Sequence, residues 1–487
     1  MTNLVVRVLL FLLTAALGTA VYPKAGAFGV TLKMATLAPR GTAYSVTSMA
    51  FEDIVGIVAK NAGVDAKVTT YWGGIMGSDS QMVEKCRLGQ LDGGYFWTGD
   101  AQKGVFPESE ILNFPFLLSR EGGEGHFVRE SLRKDQTEGA YENDWVYMHF
   151  QNEGFGTLFI LASKDVKTPD DLRALRCITT LGHAETAFYE PFGIKTTSIS
   201  PQEILPAVQQ GMIQAGIGPI IYVVGIQATQ IMAGGKGGLV RPDIRFAICG
   251  VQITKRSLDK LPWPLKARLF YLPMPLLEYA TYFITYDAEA STLYTLENQY
   301  KVIVSRLTGE NLRAFTEPTT KAWPKYVGNE PKRKAFFSRI SEKKRYFEKN
   351  KDSTETHLVH KANQDYKATN KNLRAVRAAL VGYVQSGSLD ELKKLSDTHT
   401  IESWRLLKRI RVLEDYAANG SIQALKEQFS LMMPDAFVNE LFDKHQEELA
   451  AAFGNKEAIK QRVQEVISML DKILKYYPKS YQEGQGG

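Results

Sequence analysis

From Phe28 to Val240 short strand-like runs alternate with helical ones, and no feature of the chain restricts its fold more than this alternation. Val30–Thr36, Ala66–Tyr71 and Gly93–Trp97 read as strands. Between them lie a helix over Thr42–Ala62, with apolar Met49, Ile54 and Ile57, and another over Gln81–Leu88. A second cycle starts with strands at Trp145–Phe150 and Thr157–Ala162. It continues through Thr168-Pro169-Asp170-Asp171-Leu172, where a capping threonine precedes a proline at the first helical position. Cys177–Thr180, Ala184–Phe192, Ser200–Gln210, Ala215–Ile220 and Phe246–Ile253 complete it. Strand–helix alternation predicts an α/β fold with a largely parallel sheet. Two cycles of similar size predict two lobes with a cleft between them, a common place for a ligand.

The texture changes at Pro264. Leu265–Arg306 reads as mostly long helix, although Pro273 and Pro275 interrupt its beginning. Beyond Asn329-Glu330-Pro331 the chain reads as helical and charged, with an apolar stripe through Leu406, Ile410, Leu413, Ile467, Leu470 and Leu474. Pro331–Asn350 carries Lys332, Arg333, Lys334, Arg339, Lys343, Lys344, Arg345 and Lys349 against only Glu342 and Glu348. Such a run is a solvated helix face or a docking face for an acidic partner or anionic lipid.

With 487 residues, 44% hydrophobic, the chain has material for more than one core, which excludes a disordered or disulfide-stapled protein. A net charge of +6 over that length gives no reason to expect nucleic acid as a partner. Cys86, Cys177 and Cys249 show no metal or redox spacing and read as buried thiols or a single pair. Residues 1–27 have the layout of a secretory signal peptide: Arg7, an apolar Val8–Leu17, then small residues. That run is short for a membrane span, which needs about 20 apolar residues.

Several segments, in order, resemble the solute-binding proteins of tripartite ATP-independent periplasmic (TRAP) transporters. These are Met34-Ala35-Thr36-Leu37-Ala38-Pro39-Arg40-Gly41-Thr42, Tyr71-Trp72-Gly73-Gly74-Ile75-Met76-Gly77-Ser78 and Glu84–Gly93. Phe114-Pro115-Phe116-Leu117, Lys167–Arg173 and a weakened Gln209–Ala215 follow. The resemblance covers residues 30–325 and implies two α/β lobes closing on a ligand, with a long helix crossing both. It divides the chain into a signal peptide (1–27), a two-lobed binding region (28–329) and an all-α extension (330–487). Within the binding region lobe 1 takes 28–150 plus 240–265, lobe 2 takes 151–239, and the crossing helix takes 265–310. The resemblance further implies a periplasmic location and membrane permease subunits, driven by an ion gradient, as partners.

The polar anchors of that family are missing where they align. Its carboxylate-binding arginine falls on Ile178, with Arg176 two positions earlier on the same strand face. A further arginine found in some members falls on Gly156, after Gly154-Phe155; a polar position falls in Tyr95-Phe96-Trp97; an asparagine falls on Gly218. Without such an anchor a charge-assisted bond of about 1.5–3 kcal/mol is lost, whereas burying about 200 Å² of apolar ligand yields roughly 5 kcal/mol. The expected ligand is therefore hydrophobic or neutral and amphipathic. Its expected contacts are Thr36, Arg40, Tyr44, Trp72, Tyr95, Phe96, Trp97, Phe155, Arg176, Ile178, Gly218 and Tyr222. Alternation along the strand should point Phe96 away from Tyr95 and Trp97.

No nucleophile–base, phosphate-loop or zinc-helix pattern is visible, so the chain reads as a binding protein and not an enzyme, with no cofactor. His357, His360 and Glu355 form at most a surface metal site lacking a third ligand. The competing reading is a stand-alone periplasmic lipid shuttle or a scaffold whose helical extension captures a partner protein.

Overall fold

A computed structural model describes residues 29–42, 45–97, 99–119, 123–179, 183–199, 203–350, 369–398 and 401–477. The expected signal peptide, Tyr44, His357 and His360 lie outside the described residues.

Nine strands form one mixed sheet in the order β2-β1-β3-β8-β4-β7-β5-β6, with β9 beside β8. β1 (Val30–Thr36), β2 (Ala66–Tyr71) and β3 (Gly93–Phe96) are mutually parallel. So are β5 (Cys177–Thr179), β6 (Thr196–Ser198) and β7 (Ala215–Pro219). The two parallel groups are joined by β4 (Trp145–Ile160) and β8 (Gly238–Thr254), which run antiparallel from the Trp145↔Thr254 pair to the Ile160↔Gly238 pair. The two strands expected at Trp145–Phe150 and Thr157–Ala162 are thus one, because the ladder continues past Gly154 and Gly156 through register irregularities rather than ending there.

Helix starts follow their local chemistry. At Ser78 and at Thr168 the side-chain oxygen accepts a backbone N–H three residues on, and the residue there returns the bond, closing both capping boxes. Helices α1 (Ser45–Asn61) and α2 (Asp79–Arg87) flank the first parallel group; α3 (Glu124–Ser131) and α4 (Arg133–Glu142) precede β4; α5 (His183–Tyr189) follows β5.

The single helix expected over 265–310 is instead α6 (Trp263–Tyr271), α7 (Pro273–Asn298) and strand β9 (Ile303–Arg306), which pairs with Gly238–Arg241 of β8. Pro273 explains the first break, since it opens α7 without an N–H to continue the α6 ladder. α7 packs along β4. Phe150 N donates to Glu278 of this helix and Phe155 N to Glu289.

Among the described residues the extension comprises α8 (Pro331–Lys349), α9 (Thr369–Ser386), α10 (Ile401–Asn419), α11 (Ile422–Ser430) and α12 (Lys456–Tyr476), with three further helices at Asp390–Thr398, Asp435–Lys444 and Gln446–Phe453. It has no separate core. Leu380, Tyr383, Leu406, Ile410, Val466 and Leu470 belong to the same buried cluster as Ala50, Phe51 and Ile54 of α1 and Leu269 and Phe270 of α6. α12 lies on α1, where a fully buried Arg462–Glu465 pair (2.8 Å) also receives Asn61 Nδ2 at 3.1 Å.

Of the basic run on α8 only Arg333 is buried; Lys332, Lys334, Arg339, Arg345 and Lys349 remain exposed, and several of the run pair with the α/β body. Arg333 bonds Glu110 (3.2 Å) and the Pro107 carbonyl (3.1 Å), Arg339 pairs with Asp135 (2.8 Å), and Lys332 with Glu142 (3.1 Å). Phe336 meets Phe106 edge-on at 5.4 Å. The carboxylates that meet these three residues, Glu110, Asp135 and Glu142, lie in the α/β body. All three cysteines are buried and free, so the expected alternative of a disulfide pair is not realised. Among the described residues no helix is long and apolar enough to cross a membrane.

Candidate ligand-binding cleft

One wall comes from the ends of β1 and β3 and the loop after β2. Trp97 Nε1 donates to Thr36 Oγ1 (3.1 Å), and Trp97 N donates to Asp79 Oδ2 (2.6 Å). Trp72 stacks on Tyr95 at 6.4 Å. The glycine pair behind it adopts positive φ (68° and 73°), which lets Gly73 and Gly74 donate to the Ala38 and Thr36 carbonyls and holds Trp72 over the first loop. Arg40, mostly exposed, lies 5.7 Å above the Trp72 ring and 4.0 Å from Glu52. Burial pushes the Tyr95 phenol and the Glu52 carboxyl upward. Phe96 faces the opposite side of the sheet and meets Trp145 at 5.6 Å, as alternation requires, so it is a core residue and not part of this wall.

The facing wall belongs to β4, β5, β7 and the helix after β7. Ile178 is buried, and a Cβ on Gly216 would come within 2.9 Å of its Cγ1. Gly218 makes room in the same way for the half-buried Tyr222 ring, 2.7 Å from such a Cβ. Ile221 and Tyr222 pack against the large cluster that also contains Tyr95 and Trp97, and their helix contacts α7. Phe155 sits under α7, 5.0 Å from Phe246 and 6.1 Å from Tyr286.

Arg176 does not replace the missing arginine at Ile178. It precedes β5, is exposed, and its backbone pairs with Gln214 at the strand's beginning, while Ile178 lies a residue past Cys177 inside the buried ladder.

The cation that sequence reasoning missed is Arg245. It stands opposite Gly156 in the β4–β8 ladder and is 1% exposed. Its Nη1 donates to Asn113 Oδ1 (3.0 Å), and its Nε lies 3.6 Å from Glu185 Oε1 on α5. Neither Nε nor Nη2 has a hydrogen-bond acceptor. A Cβ on Gly156 would lie 2.8 Å from Arg245 Cγ, so the glycine is what admits this side chain. The arginine expected on β4 is absent there, and the neighbouring strand supplies one across the ladder. The one available signal was a lone arginine inside the apolar run Ile244-Arg245-Phe246-Ala247-Ile248. Arg245 joins groups from both sides: Asn113 ends the 3-10 helix Pro107–Asn113 of the first parallel half, and Glu185 belongs to the second.

Residues 43–268 match the model of bacterial extracellular solute-binding proteins, family 7. That span is just under half of the chain, and over it the α/β body is similar to this solute-binding family. A solute-binding protein of Verminephrobacter eiseniae is 27% identical over 182 residues, 36% of this chain and 51% of the relative, so the chain spans about half the length of that relative. A TRAP periplasmic solute-binding protein from Polaromonas, bound to D-erythronate, has a TM-score of 0.56 at 19% identity over 65% of this chain and 98% of its own. One from Desulfovibrio desulfuricans, with sn-glycerol-3-phosphate, gives 0.57 at 16% over 64% and 97%. The sugar acid binding protein of Advenella mimigardefordensis, in complex with galactonate, gives 0.57 at 13% over 65% and 99%.

The family match ends at residue 268, within α6. The helices of the extension therefore pack onto a TRAP-type body from outside the matched region, through the core shared with α1 and α6.

Proposed function

We propose that this chain is a periplasmic binding protein that captures an organic acid between its two lobes and delivers it to an ion-gradient-driven TRAP permease. The observation that carries the ligand class is Arg245, a buried guanidinium between the proposed lobes whose Nε and Nη2 have no hydrogen-bond acceptor. A guanidinium presents paired donors that suit a carboxylate, and each charge-assisted bond contributes about 1.5–3 kcal/mol. The expectation of a hydrophobic ligand rested on having no such cation, and Arg245 removes that premise. Ligands in the solved relatives, D-erythronate, galactonate and sn-glycerol-3-phosphate, are all acids. Glu185, beside Arg245, suits the hydroxyls of a hydroxy acid as an acceptor. Thr36, Arg40, Trp72, Tyr95, Trp97 and Tyr222 are the proposed wall contacts, with Ile178 and Gly218 behind Tyr222. The proposed lobes are 28–150 plus 240–265 and 151–239, and residues 1–27 the proposed export signal.

The test is calorimetric titration of the mature protein with aldonates, uronates and glycerol phosphate, beside fatty and aromatic neutral compounds. Arg245→Met should weaken binding of the acid by about 10- to 150-fold, the loss of one or two charge-assisted bonds. Binding of an apolar compound that Arg245→Met leaves unchanged, with no acid bound, would overturn the proposal.

A further inference from the structure

A cavity of about 890 Å³ opens where α3 and α4 meet α10 and α11 of the extension, and none of the proposed cleft contacts lines it. Arg133, Lys134, Arg405, Lys408, Arg409 and Lys426 line it. Against these six cations the lining has two carboxylates, Glu130 and Glu427, while Lys134 is also paired with Glu138 (2.8 Å) and Asp435 (2.6 Å) at the rim. The floor is a buried ionic cluster whose charges do not balance. Glu130 and Glu278 are shared by three arginines: Arg129 lies 3.0 Å from Glu278, Arg133 lies 2.9 Å from Glu130 and also pairs with Glu278, and Arg405 lies 3.2 Å from Glu130. Arg409 adds a fourth guanidinium that donates only to a neutral acceptor, the Tyr271 carbonyl, at 2.8 Å. Burial, with Arg133 and Arg405 nearby, brings Arg409 down to about 10. Arg129 Nη1 is buried with no acceptor at all.

Uncompensated buried charge is costly unless a counter-charge completes it. The cavity has the size of an organic-ligand site. Phe127, Tyr279 and Met432 give one side of it an apolar surface, and Leu431 stands at its exposed edge.

We propose that this cavity is a second binding site, for a phosphate-bearing anion, built jointly by the first lobe and the extension. Guanidinium forks and ammonium groups together match the charge and the several acceptor oxygens of a phosphate. The apolar side accepts the remainder of the molecule. The phosphate can belong to a free phosphorylated compound or to a phospholipid headgroup. The site is independent of Arg245 and of whatever the cleft holds.

Pyrophosphate titrated calorimetrically into the intact mature protein at low salt is the direct probe. One-to-one binding is expected, weakening as salt is raised. Lys426→Glu and Lys408→Glu/Lys426→Glu at the rim should each weaken it by about tenfold or more, while Arg245→Met leaves it unchanged. Cosedimentation with phosphatidylglycerol–phosphatidylcholine vesicles, lost in the same rim variants and without pyrophosphate binding, would support the site and assign the lipid source. Absence of both interactions, or binding indifferent to the rim variants in proteins that still fold, would overturn the proposal.

Discussion

Asp287 offers a quantitative test of how the crossing helix is held. It lies on α7, is 3% exposed, and its Oδ2 has no hydrogen-bond partner. Burial raises its carboxyl from 3.8 to about 7. Below about pH 4 the group is protonated in folded and unfolded chains alike, and its full contribution to stability is present. As pH rises from about 4 to 7 the unfolded chain ionises while the fold retains the proton, so stability falls, levelling off above 7. Each pH unit in that window corresponds to about 1.4 kcal/mol, which sets the total near about 4 kcal/mol. Asp287→Asn keeps the shape and removes the titration. Its amide still leaves polar atoms unmet, at about 1–2 kcal/mol, so the net gain at pH 8 should be about 2–3 kcal/mol, with a slight loss at pH 4. Urea denaturation of both proteins at half-unit steps from pH 4 to 8 measures the difference directly. A difference that stays constant across that range would refute the reasoning, because it would mean that Asp287 ionises alike in both states.

Three further outcomes can be checked. Glu465→Ala, which strands the fully buried Arg462, should cost about 3–5 kcal/mol in denaturant titration, while Arg462→Met/Glu465→Leu should fall within about 1 kcal/mol of the parent or above it. Gly156→Ala should push Arg245 aside and weaken binding of a carboxylate ligand about tenfold, read by calorimetry, with the far-ultraviolet circular dichroism unchanged. Burial raises the Cys177 thiol to about 12 and pushes Cys86 up as well, so a maleimide should label neither in the native protein at pH 8 and both in urea.

Local chemistry was the legible part of this chain. The strand–helix alternation, the capping threonine at 168 and the opposed faces of Phe96 and its neighbours follow from periodicity and short-range bonding, and the structure shows them. Breaks were harder. Gly154 and Gly156 look like a strand end, yet β8 pairs on through them because a long partner strand tolerates extra residues as bulges. Pro273 was visible, but the division it causes and the return of the chain as β9 depend on an edge of β8 that only the assembled sheet provides. Arg245 escaped for a related reason. Aligning a motif fixes a position along one strand, and it is blind to the residue that lies across the ladder. The partners of Arg333 and Arg339 on the basic helix were equally hidden, since Glu110 and Asp135 lie some two hundred residues earlier in the chain.

The shared core decides which parts can move when a ligand enters. α1, α6 and the extension bury one continuous apolar cluster, so parting the extension from the first lobe would expose Phe51, Leu380, Ile410 and Val466 together. The second parallel half keeps smaller clusters of its own, around Leu158, Phe188 and Ile217 on one face and Phe159, Ile178 and Leu239 on the other. Its links to the rest include β4, β8, α7, the packing of α5 on Gly99–Val105 and Pro107–Asn113, and the helix Gly309–Val327, which touches both α5 and α8. Bending is therefore least costly where β4 and β8 already depart from regular register, between Asn152 and Leu158, with Gly154 at φ 94°. Arg245 sits at that joint, bonded to Asn113 on one side and beside Glu185 on the other. Under the proposed function, parting the two halves would draw those two groups apart, and an acid on the guanidinium would favour the arrangement in which both remain near it. On that proposal ligand capture and closure act through the same side chain, Arg245.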